Sequence, residues 1–161
     1  MLKNIVLVLA LLTLVSSIVA CNSNGVQSDG PIKATWIEPE VLGDTVSIPV
    51  SEVQKDWNVH FNLKTEDGDM NFMAYVLDGE IYVRANVCPP CHSIGFSLDG
   101  DILVCNRCAT KFNAQTGEGI SGACVGFPKA SVTYEISGGD IVMDSTDLAT
   151  AYQNTLEPGL P

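Results

Sequence analysis

Cys88-Pro89-Pro90-Cys91-His92 and, after thirteen further residues from Cys91, Cys105-Asn106-Arg107-Cys108 decide the reading of this chain. The segment between them, His92 to Val104, has the composition of strand and turn, so each Cys-x-x-Cys pair falls on a loop at a hairpin end. Two such loops can face one another, and four thiolates around one point make a soft tetrahedral metal site. The spacing is a strong signal for a metal and a weak one for which metal. Two structural disulfides, or four cysteines that never meet, are the plain alternatives.

The two loops differ in chemistry. Pro89 and Pro90 fix φ and remove backbone donors, which stiffens the first. Asn106 and Arg107 leave N–H groups free to point at sulfur in the second, and such hydrogen bonds tune a bound metal. Cys124, in Gly122-Ala123-Cys124, is a further thiol that serves as an additional ligand, a disulfide partner or a small buried hydrophobe. His92 makes Cys88–His92 satisfy the c-type haem attachment pattern, with a second axial ligand drawn from His60, Met70, Met73 or Met143. The second cysteine pair and the β pattern argue against haem. His92 then reads as a neighbour or extra ligand of the site, or as an exposed loop residue.

Working outward, the strand signals run along Val46–Val50, Asn58–Lys64, Met70–Leu77, Glu80–Ala85, Ile102–Val104, Ser131–Ile136 and Asp140–Met143. Asp78-Gly79, Asp99-Gly100 and Gly138-Gly139 are the turns between them, because glycine tolerates the positive φ such turns need. Ser51–Asp56 reads as one helical turn and Asp147–Thr155 as a short final helix or a loose tail. The expected fold is mostly β and antiparallel.

The N-terminus is a targeting segment. Lys3 precedes the apolar run Ile5–Leu14, too short to span a bilayer. Ile18-Val19-Ala20-Cys21 resembles the bacterial lipobox, in which the cysteine is acylated and becomes the new N-terminus. The expected organisation is a signal peptide over 1–20, a lipidated N-terminus and flexible tether over 21–45, a β metal-binding domain over 46–144 and a C-terminal tail over 145–161. The protein is expected in the cell envelope, outside the cytoplasm, held to the membrane through Cys21.

The chain has 161 residues, with eight Lys and Arg against nineteen Asp and Glu. That acidity excludes nucleic acid as a partner. The charge is uneven: Arg84, Arg107, Lys111 and Lys129 gather around the cysteines, where positive neighbours stabilise thiolates. Thioredoxin-like chemistry would need a helix after the first cysteine, and none is readable. No nucleophile–base constellation is present either, so a carrier is expected in preference to a catalyst.

Gly79-Glu80-Ile81-Tyr82-Val83, the four cysteines, Phe112, Thr116-Gly117-Glu118 and Gly122-Ala123-Cys124 resemble the FtrD-like family of membrane iron–sulfur proteins. The likeness runs from about Val46 to Met143. Cys105 to Phe112 is also similar to the second cluster-binding loop of Rieske proteins, with Cys108 where a Rieske histidine would stand. The resemblance implies a small Rieske-like or rubredoxin-like β domain holding an iron–sulfur cluster or a single iron, with electron delivery linked to iron uptake. Iron-permease components or another redox protein are the implied partners. Met1-Leu2-Lys3-Asn4 lacks the arginines of a signal that exports folded proteins, so zinc acquired outside the cytoplasm stays as the alternative, with the chain then a structural zinc-ribbon-like module.

Overall fold

Strand β5 (Gly68–Leu77) is apolar on both faces, and that property organises the molecule. In the computed structural model, residues 30–66 and 68–159 are described. The expected signal peptide and the acylated Cys21 lie outside them. Alternate residues of a strand face opposite sides. Phe72, Ala74 and Val76 therefore enter one core while Met73 and Tyr75 enter another.

β5 sits in a four-stranded sheet with β1 (Thr35–Trp36), β4 (Asn58–Thr65) and β6 (Glu80–Ala85), in the order β1-β4-β5-β6. On one face, Val59, Phe61 and Leu63 of β4 and Val83 of β6 join Val46 and Ile48 of β3 (Thr45–Pro49) and Ile141 and Met143 of β12 (Asp140–Asp144). β3 and β12 belong to a second sheet, ordered β11-β12-β3-β2, with β2 spanning Glu40–Leu42 and β11 spanning Glu135–Ser137. Helix α1 (Val50–Asp56) and helix α2 (Ser145–Leu156) close this core through Val53, Leu148 and Ala151. Asp144 caps α2, its side chain accepting from the Thr146 N–H at 2.7 Å, which satisfies an otherwise orphaned helix donor.

On the other face of the central sheet stands the sheet β10-β9-β8-β7. It comprises β7 (Phe96–Asp99), β8 (Ile102–Cys105), β9 (Lys111–Asn113) and β10 (Gly119–Ser121). Phe96, Leu98, Leu103 and Phe112 pack with Met73 and Tyr75, and Cys88, Cys105 and Cys124 belong to the same cluster. The mostly β, antiparallel expectation holds. The hairpin at Asp78-Gly79 has φ of 52° and 83°, and Gly138-Gly139 has 63° and 97°, the doubly positive pair that a two-residue hairpin of this twist requires.

Two expectations need correction, and one open alternative is decided. β1 and β2 lie inside 21–45, the stretch read as tether. β1 pairs parallel with β4, and Ile32 exchanges backbone hydrogen bonds with Leu98 at 2.7 and 2.9 Å. The apolar residues there, such as Trp36, Val41 and Leu42, are largely exposed and follow no core-facing pattern, and sheet-edge backbone bonds hold the segment. Within the stretch assigned as C-terminal tail, the helical alternative for Asp147–Thr155 is the one observed: α2 forms over Ser145–Leu156 and is docked on the domain, Thr155 Oγ1 accepting the Ala130 N–H at 2.9 Å. Ser131–Ile136 is not a continuous strand: its start runs along β6, with Val132 N–H bonded to the Val83 carbonyl at 2.9 Å, before β11 begins at Glu135.

Candidate metal centre

The two cysteine loops are backbone copies of one another. The N–H of Cys88 donates to the Ser93 carbonyl at 2.8 Å, and that of Cys105 to the Thr110 carbonyl at 2.9 Å. Each bond spans the same number of residues. The residue following each second cysteine, His92 or Ala109, is left-handed, with φ of 57° and 55°. Such φ is uncommon for residues with a Cβ and marks a conformation that the surroundings enforce. The loops are joined by the Asn106 N–H, which donates to the Gly95 carbonyl at 2.9 Å.

This arrangement brings the Sγ atoms of Cys88, Cys91, Cys105 and Cys108 within 4.8 Å of one another. Cys91 and Cys105 stand 3.7 Å apart. None of the four is in a disulfide. Cys88 and Cys105 are buried, whereas Cys91 and Cys108 are partly exposed, so the group reaches the surface on one side. His92 is exposed and outside the group. Both sulfurs that a covalent haem would use are among the four, so the haem pattern has no support from this geometry.

Cys124 is buried, and its Sγ lies 3.7 Å from that of Cys108. Thr110 holds the two together: its Oγ1 is 3.2 Å from the Cys108 sulfur and accepts the Cys124 N–H at 3.2 Å. Gly122 makes the approach, with φ of 113°, and a Cβ there would meet Thr110 Oγ1 at 2.6 Å. Only glycine fits so close a passage. Thr110 was not singled out from sequence. Its place directly after the second knuckle was the available signal.

One buried cation, Lys129, interacts with the sulfurs directly, and a second, Arg84, is tied to its backbone. Lys129 is fully buried, with Nζ 4.6 Å over the Phe112 ring and donating to the Val87 carbonyl at 2.7 Å. Arg84 is buried as well, and donates to Tyr75 Oη at 2.9 Å and to the Lys129 carbonyl at 2.7 Å. Neither forms an ion pair with a carboxylate among the described residues. Arg107 and Lys111, the other members of the basic island, are exposed.

Unpaired buried charge is costly, so the fold has placed two cations where a negative group is needed to balance them. Burial lowers Lys129 to about 8, opposed by the charges of Cys88, Cys105, Cys124 and Cys91. Burial pushes the Cys88 thiol well up and Cys91 to about 11. Cys108 goes the other way: burial acts to raise it, but the Thr110 hydroxyl and N–H bring it down to about 6. A metal ion would complete the deprotonation of the rest, since only thiolates ligate. Four convergent sulfurs with buried cations beside them fit an anionic iron–sulfur centre.

Among solved structures, a chain of the complex of reduced oxygenase and oxidized ferredoxin in carbazole 1,9a-dioxygenase shares the fold. Its TM-score is 0.52 at 18% identity, over 65% of this chain and 95% of that one. A ferredoxin of Sphingomonas yanoikuyae B1 aligns with a TM-score of 0.43 at 23% identity, over 52% of this chain and 83% of that one. No curated protein matches the chain in sequence. Residues 53–154 match the family described as membrane iron-sulfur containing protein FtrD-like. The four-cysteine group is a candidate ligand set; the chain belongs to that family, and its cofactor is an iron–sulfur centre.

Proposed function

We propose that this protein is a lipid-anchored electron carrier of the cell envelope, which passes single electrons through the Cys88/Cys91/Cys105/Cys108 centre in the service of iron uptake. One observation carries the electron-transfer part. The four sulfurs converge, two on buried residues and two on partly exposed ones, which supports a redox centre that a partner could approach from one side. Burial and nearby charge are the levers that set the potential of such a centre. Membership of a family of membrane iron–sulfur proteins supports the membrane association, while the lipid anchor rests on the lipobox likeness of Ile18–Cys21 and the link to iron uptake on the family resemblance alone. No helix among the described residues is long and apolar enough to cross a bilayer, which is compatible with attachment through acylated Cys21.

The test has two arms. The purified chain should bind iron and show visible absorption that bleaches with dithionite and returns on reoxidation. A colourless protein holding zinc would instead make the site structural and end the electron-transfer reading. In cells, Cys21→Ala should abolish incorporation of labelled fatty acid and release the protein from the membrane fraction. Deletion of the chain should slow growth only when iron is scarce, and equal slowing in iron-replete medium would remove the link to uptake.

A further inference from the structure

We infer that the four cysteines hold a single metal ion and not a sulfide-bridged cluster of two or more irons. The inference rests on the four-sulfur centre proposed above and adds its nuclearity. A lone tetrahedral ion with metal–sulfur bonds of about 2.3 Å sets its ligand sulfurs about 3.8 Å apart. Cys91 and Cys105 stand at 3.7 Å, and every pair among the four is within 4.8 Å. Two sulfide-bridged irons impose a different spacing. The iron–iron separation adds to the outward splay of each ligand pair, so thiolates on opposite irons stand roughly 5.5 Å or more apart. No pair in this group is that far apart.

The backbone resists the difference. Cys88 is 0% exposed and Cys105 1% exposed, and both pack in one cluster with Met73, Tyr75, Phe96 and Phe112. Cys88 and Cys105 cannot retreat inward, because that close-packed core has little free volume to give. The bond from the Asn106 N–H to the Gly95 carbonyl also ties the second knuckle to the end of the first loop.

The decisive experiment loads the full chain anaerobically with ferrous iron and sulfide together, so that either kind of centre can form. Iron and acid-labile sulfide per chain are then measured, with Mössbauer spectra of the oxidised protein. The expected result is one iron per chain, no labile sulfide and a single high-spin ferric site. Two irons with two sulfides would overturn the inference and leave the electron carrier intact. One zinc displacing all iron would do the reverse, preserving the single-ion geometry and removing the carrier. A chain that takes up no metal would remove both.

Discussion

Arg84 Nη1 donates to the carbonyl oxygen of Lys129 at 2.7 Å, so the two buried cations form one brace beside the cysteine group. The brace joins β6 to the segment after Cys124, and the Lys129 charge interacts with sulfurs from both knuckles. Cations close to a redox centre favour its reduced, more negative form.

Replacing Lys129 with Met removes one of those charges while keeping a long side chain over Phe112. Coulombic reasoning at a partly screened protein dielectric gives a fall in midpoint potential on the order of tens of millivolts or more. Spectroelectrochemical titration of the iron-loaded variant checks this. An unchanged or raised potential would show that Lys129 is only a packing element.

Gly117 has φ of 84°, and a Cβ there would meet Arg84 Nη1 at 2.6 Å and collide with the Lys129 carbonyl oxygen. Gly117→Ala therefore strains the turn and pushes the brace apart at once. The expected loss of stability is about 2 kcal/mol or more, read from urea unfolding of the metal-loaded protein. Gly126→Ala is the matched control, because a Cβ there meets nothing within 4 Å.

Cys108 and Cys124 predict an asymmetry among ligand substitutions. Cys124 Sγ is 3.7 Å from Cys108 Sγ, close enough to take its place with a small side-chain rotation. Cys108→Ser should therefore retain more metal than Cys105→Ser, and the double change at Cys108 and Cys124 should lose what Cys108→Ser keeps. Cys124→Ser alone should leave the metal stoichiometry at its wild-type value. Equal losses at Cys105 and Cys108 would show that Cys124 cannot substitute.

His60 links stability to acid. It is 1% exposed, its Nε2 lacks a hydrogen-bond partner, and burial lowers it to about 4 despite a bond to the Phe96 backbone. The unfolded chain takes up a proton near the ordinary histidine value of 6.5. Between that pH and about 4 the unfolded state thus binds more protons, and stability falls as pH falls. The full contribution approaches about 3 kcal/mol below that window. Urea unfolding from pH 7 to pH 4.5 should show this slope on top of that from the thiolates. The slope should be shallower in His60→Gln, and equal slopes would place the acid sensitivity elsewhere.

Much of the fold was legible because its signals are local. Asp78-Gly79 and Gly138-Gly139 need only their own backbone freedom to make hairpins, and both do. The β-branched and aromatic residues along Met70–Leu77 showed a strand, though not what covers each of its two faces. β1 escaped detection because Thr35 and Trp36 are exposed and held by parallel backbone pairing with Val59 and His60. Edge pairing leaves no mark on side-chain pattern. The basic island was visible as composition, but the sequence did not separate buried Arg84 and Lys129 from exposed Arg107 and Lys111.

From sequence came the candidate ligand set, since the spacing within each Cys-x-x-Cys pair is a property of one short loop. Tertiary structure alone decided the rest of the site. The approach of the two knuckles to within 4.8 Å, the seat of Cys124 against Cys108, and the brace between Arg84 and Lys129 each join residues distant in the chain. Such distances follow from how two cores pack on the two faces of β5, and no window of sequence contains that packing.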